Sequence, residues 1–185
     1  MSETSTAIDT ITGDYTLDTA HSRLGFIARH AVVTKVRGQF TDWTGTAHVD
    51  AENPASSSVT VTIKAASIST GSPDRDGHLA SPDFFDAEQF PELTFVSTAV
   101  SRDGADWTIT GDFTIKDVTK PLTIVFEETG SAKDPFGNIR VGFEGSAEIN
   151  RKDFGLTWNA ALETGGVLVS EKIKLEFDLS AIKTA

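Results

Sequence analysis

Apolar and polar residues alternate along four stretches of this chain with almost no errors. Trp107, Ile109, Gly111, Phe113 and Ile115 alternate with Thr108, Thr110, Asp112, Thr114 and Lys116. Ile139, Val141, Phe143, Gly145, Ala147 and Ile149 alternate with Arg140, Gly142, Glu144, Ser146, Glu148 and Asn150. Ile173, Leu175, Phe177 and Leu179 stand against Lys172, Lys174, Glu176, Asp178 and Ser180, and a shorter run sets Val59, Val61 and Ile63 against Thr60, Thr62 and Lys64. Side chains of a strand point to opposite faces with period two, so each stretch predicts a strand with one dry and one wet face. No segment of comparable quality has helical spacing. Half-wet strands of this kind build antiparallel sheets, and without a helical layer such a sheet buries its dry face as a sandwich or a closed barrel.

Weaker patterns fill in the rest. From Ser22 to His30 the dry positions are Leu24, Phe26 and Ala28, with His30 in phase. Val36, Gly38 and Phe40 share one parity and Trp43, Ala47 and Val49 the other, which predicts a bulge or bend near Thr41 and Asp42. Gly38, Gly111 and Gly145 interrupt strand patterns and mark a bend or a close backbone approach. Ser81 as N-cap and Pro82 as first helical residue predict one short helix limited by Pro91, with Phe84, Phe85 and Phe90 as its apolar side. Turns are expected over Asp117–Pro121 and Asp134–Asn138. The count is eight or nine strands. Residues 1–13 are expected as a flexible N-terminal tail and 14–185 as one domain.

Composition narrows the function. A net charge of −11 and a pI near 4.7 argue against unspecific affinity for nucleic acid or anionic membranes. The chain has no cysteine, which excludes thiol chemistry and disulfides. The N-terminal residues carry no basic or long apolar run, so the expected location is the cytoplasm. The apolar residues are interleaved rather than continuous, so no integral membrane segment is expected. A homodimer is the default expectation for oligomeric state.

Candidate chemistry is sparse. His21, His30, His48 and His78 lack the paired spacing of a metal motif, and His48 falls on a wet parity. There is no nucleophile elbow and no phosphate-cradling glycine loop. Arg75 and His78, in the polar segment Asp74–Leu79, can present hydrogen-bond donors at a barrel rim to the head of a guest molecule. Aromatic residues crowd the dry parities. An eight-stranded barrel is just wide enough to be filled by such side chains or to hold one slender ligand, and Gly111, Gly145 and Ala147 leave room beside bulky neighbours.

Several motifs carry a resemblance. Tyr15-Thr16-Leu17-Asp18-Thr19-Ala20-His21-Ser22, Val36-Arg37-Gly38-Gln39-Phe40, Arg75-Asp76-Gly77-His78-Leu79 and Ser81-Pro82-Asp83-Phe84-Phe85-Asp86 resemble the YceI-like family of polyisoprenoid-binding proteins. Phe90-Pro91-Glu92-Leu93-Thr94-Phe95, Gly111-Asp112-Phe113-Thr114-Ile115 and Ile149-Asn150-Arg151-Lys152-Asp153-Phe154-Gly155 follow in the right order, so residues 14–182 are covered. The resemblance implies an extended, lipocalin-like antiparallel barrel that takes a long isoprenoid chain, such as that of a prenylated quinone or polyprenyl phosphate. It implies apolar walls from Phe26, Phe40, Phe84, Phe95, Phe113 and Phe143, with His21, His30, Arg75 and His78 near the head group. Many relatives look secreted or periplasmic, and this chain shows no signal sequence.

The reading is therefore an all-β, antiparallel, eight-stranded lipocalin-like barrel with one short helix. It is expected to bind, store or transport an isoprenoid lipid without catalysis and without a cofactor or metal. The alternatives are a His- or metal-assisted enzyme using His21, His30 and His78 on a lipophilic substrate, and a guestless barrel filled by its own aromatics.

Overall fold

The computed structural model describes residues 11–31, 33–159 and 169–184, and each of the four alternating stretches is a strand in it. The strand segments are β1 (Gly13–Leu17), β2 (Arg23–His30), β3 (Thr34–Phe40), β4 (Trp43–Val49), β5 (Ser58–Lys64) and β6 (Ile68–Ser69). The longer ones are β7 (Glu92–Asp103), β8 (Asp106–Ile115), β9 (Val118–Lys133), β10 (Ile139–Asn150) and β11 (Lys172–Lys183). Hydrogen bonds join β1, β4, β5, β7, β8, β9, β10 and β11 in that order, and β11 returns to β1. Every pairing is antiparallel, so the ring is a closed eight-stranded barrel.

β2, β3 and β6 continue strands of that ring rather than adding new ones. β1 pairs with Ala181–Lys183 of β11, and β2 takes over at Lys174–Asp178 after the 3-10 turn Thr19–His21. β3 and β4 are likewise one strand broken at Thr41–Asp42, where the parity of the sequence switches. β5 and β6 are separated by the 3-10 turn Ala65–Ser67. Among the described residues β6 pairs with β3 and with no strand on its other side, so at that end the ladder they form is open between β6 and β7.

The two faces of the sheet follow the sequence period. Outside, Thr44, Thr62, Thr94, Thr114 and Thr119 stand opposite one another across β4, β5, β7, β8 and β9. A β-branched side chain with a hydroxyl suits a pleated wet surface, and Thr114 and Thr119 close a hydrogen bond of 2.7 Å there. Inside, Leu24, Trp43, Phe95, Trp107, Phe113, Ile124 and Phe126 are buried. The 3-10 turn Arg151–Phe154 carries Phe154 onto Phe113 with ring centroids 5.4 Å apart. Arg151 is 3% exposed and donates to the carbonyls of Leu156, Trp158, Val169 and Ser170, satisfying a buried guanidinium without a carboxylate.

Three sequence expectations need correction or completion. The helix, α1, is Pro73–Ala80, with the Ser72 side chain as its N-cap, and Ser81 ends it instead of starting one. Ser72-Pro73-Asp74 and Ser81-Pro82-Asp83 are the same start signal, and the second leads only into turns, with Asp86 at φ +48°. The turn after β8 is Lys116–Asp117, because Ile115 already pairs with Val118, and Pro121 lies within β9 opposite Asp112. Residues 1–10 of the expected tail lie outside the described residues, while Ile11 is 3% exposed and belongs to the core.

Candidate functional site: an apolar lumen

Strands from every part of the chain turn their dry faces to a single cavity of about 140 Å³. Its wall is made by residues such as Leu17, Ala47, Val61, Ile109, Ile124 and Leu179, and by Phe26, Phe40, Phe95, Phe113 and Phe143 from the expected set. Among the described residues, His48, Ser57 and Ser58 are the polar ones reaching the lining, apart from the indole of Trp107, and they lie together at the end of the barrel where β4 and β5 are joined. Apolar cavities of ~150 Å³ stay dry and accept an apolar guest, so this space favours hydrocarbon over water. Its chemistry is burial of an apolar ligand, since no lining side chain carries a carboxylate, an amine or a guanidinium.

The small residues on the inner parity do not add to that space. An atom at the Cβ position of Gly111 would fall 2.5 Å from Phe95 Cζ, and one at Gly145 would fall 2.7 Å from Phe126 Cδ1. Neighbouring rings already fill the room those glycines leave. The close backbone approach expected at these glycines is present at Gly111 and Gly145, where the carbonyls of Val96 and Val125 would fall 2.7 and 2.9 Å from a Cβ, whereas at Gly38 the nearest atoms all belong to the Phe26 ring.

Phe84, His78, Arg75 and His21 stand off the lining. Phe84 is buried against Trp158 and His78, with ring centroids 5.4 and 5.2 Å away. His78 also packs edge-on to Trp158 and shares a hydrogen bond of 2.9 Å with Asp83. Arg75 donates to Thr70 Oγ1 and Thr70 O, so it braces α1 to the end of β6. His21 is exposed and bonded to Asp18, which also accepts from Arg140. His30 is the last residue of β2, opposite Thr34. Among the described residues, no three His, Asp or Glu side chains are placed to share a metal ion.

The resemblance implies neither the aliphatic part of the wall nor Trp107, Phe126 and Phe177, although the alternation signals all of them. Val61, Ile109 and Leu179 have the dry parity, and only their smaller size kept them behind the aromatics. Phe85 is half-buried beside the lumen, T-shaped to Phe40 with centroids 5.8 Å apart. Nothing in the sequence separates it from Phe84.

Known proteins share this architecture. The family model of the YceI-like domain matches residues 15–181. Protein YceI of Escherichia coli O17:K52:H18 (strain UMN026 / ExPEC) is 40% identical over 148 residues, which are 79% of this chain and 78% of that protein. Burkholderia cenocepacia BcnA superposes with a TM-score of 0.78 at 24% identity, over 89% of this chain and 98% of that one. A polyisoprenoid binding domain from Saccharophagus degradans, implicated in plant cell wall breakdown, superposes with a TM-score of 0.67 at 14% identity, over 92% and 98%. At those identities the two structures share the fold.

Proposed function

The chain belongs to the YceI-like family, and on that premise we propose that its barrel sequesters the tail of a long-chain isoprenoid lipid, such as a prenylated quinone or a polyprenyl phosphate. The observation that carries this reading is the lining, continuous and apolar from Ser57 and Ser58 at one end to Phe26 and Phe40 toward the other. Burial of an apolar tail contributes about 25 cal/mol per Å², offset by the cost of association, so affinity grows with the length of chain enclosed. The name of the Saccharophagus domain agrees with this ligand class. The enzymatic alternative has no observation in its favour, since His21 and His78 are each bonded to a different carboxylate and neither lines the cavity.

The test is organic extraction of the protein purified from its native host, followed by lipid mass spectrometry. A prenyl compound at one equivalent is the expected result. Straight-chain acyl lipids alone, or no lipid, would overturn the isoprenoid assignment.

A further inference from the structure

A cavity of about 140 Å³ is smaller than the roughly 300 Å³ of a pocket that encloses a drug-sized ligand, so a chain of several prenyl units requires the wall to yield. Most of that wall is hydrogen-bonded ladder, and parting two strands strands their backbone donors and acceptors without partners. Among the described residues, the seam between β6 and β7 has no ladder to break. It lies one strand away from Phe40, which pairs with Ile68 of β6 and also lines the lumen.

Phe85 closes the space behind Phe40. Its ring meets the Phe40 ring at 84° with centroids 5.8 Å apart. Its backbone is fixed, because Phe85 N donates to Leu79 O and Ala87 N donates to Ala80 O at the end of α1. Phe84, 5% exposed, anchors the same turn against Trp158. Asp86 turns the chain at φ +48°, a left-handed value that aspartate tolerates better than most residues. The turn is thus a fixed mount carrying one half-buried ring, and that ring can leave Phe40 by side-chain rotation without breaking a hydrogen bond.

We propose that Phe85 is the shutter of the lumen: rotating off Phe40, it joins the cavity to the β6–β7 seam, and its closed position limits the length of chain accepted. This rests on the reading that the lumen binds an apolar chain. When Phe85 is closed, only the competent open fraction of molecules admits a long guest, and apparent affinity is reduced by that fraction.

The experiment measures association of dansyl-labelled prenyl alcohols, from geranyl to solanesyl, with the full chain and with F85A and F85W. Phe136→Ser, which removes an 89% exposed ring at the far end of the barrel, is the control. In the native chain, affinity rises with prenyl length and then levels off. F85A is expected to bind the longest probe on the order of tenfold faster and to move the plateau to longer chains. F85W is expected to slow association, and it decides the matter alone should F85A lose its fold. Binding by the native chain with unchanged rates and plateau in both variants overturns the shutter and leaves the receptacle standing. No binding of any probe to the native chain overturns both.

Discussion

The Phe26 ring lies across Gly38, its register partner in the β2–β3 pair, so closely that an atom at the Cβ position of residue 38 would fall 2.3 Å from Phe26 Cζ. The three atoms nearest such a Cβ all belong to the far end of one flexible side chain. At Gly111 the added atom would meet Phe95 and also the backbone carbonyl of Val96, at 2.7 Å. A ring can swing and a paired carbonyl cannot. Gly38→Ala is therefore expected to cost about 1–3 kcal/mol, and Gly111→Ala distinctly more. In Gly38→Ala the Phe26 ring is driven toward the lumen it lines, so uptake of an apolar probe falls as well. Urea midpoints at constant m-value check the order, and equal midpoints for the two variants would count against it.

The architecture was legible because the period of two survives even where strands break. The parity switch at Thr41–Asp42 separates β3 from β4, and five of the six phenylalanines that the resemblance implies as walls, all on dry parities of strands, line the lumen. Residues whose role depends on a partner were not legible. Arg75 and His78 read as donors aimed at a guest, but Thr70 and Asp83 engage them, and no spacing rule in the sequence names those pairs. Arg151 stands in the sequence only as one member of the motif Ile149–Gly155, and nothing there signals that four carbonyls from two other segments surround its guanidinium. The helix was placed one motif too late because two identical start signals stand nine residues apart, and only the packing of Phe84 and Phe85 as turns distinguishes them.

The turn between β9 and β10 predicts an acid response. Asp134 Oδ1 accepts from the backbone N–H groups of Phe136 and Asn138, and Oδ2 accepts from Asn138 Nδ2 and Arg140 Nε. Desolvation pushes this carboxyl up, but the Arg140 bond and the Asn138 and Phe136 bonds more than offset it and hold it down at about 2, from an ordinary 3.8. A depressed carboxylate contributes stability that is present above pH 3.8 and is lost as pH falls through about 2. Asp18, bonded to the same guanidinium, is shifted in the same direction, chiefly by Arg140. Asp134→Asn is expected to flatten the fall in urea midpoint over that window relative to the native chain. Parallel profiles would show that the turn carries none of the acid sensitivity.

Tyr15 is the chain's single tyrosine, so its ionisation can be read without interference. Its side chain is 2% exposed and its hydroxyl donates to Ile11 O at 2.6 Å, holding the start of the described chain against the barrel. Burial, aided by the negative charge of Glu128, pushes the phenol up to about 12 from an ordinary 10.0. The native state thus favours the neutral phenol, and this contribution is complete below pH 10.0 and is lost as pH rises toward 12. In the folded chain phenolate absorbance should stay flat through pH 10.0 and appear only near 12 or together with unfolding, whereas the urea-unfolded chain should titrate near 10.0. Tyr15→Phe should cost about 1 kcal/mol at neutral pH, from the donor withdrawn from Ile11 O, and should remove that tyrosine-linked alkaline loss. A folded chain that titrates at the ordinary value would mean the phenol stands in water and Ile11 is not held.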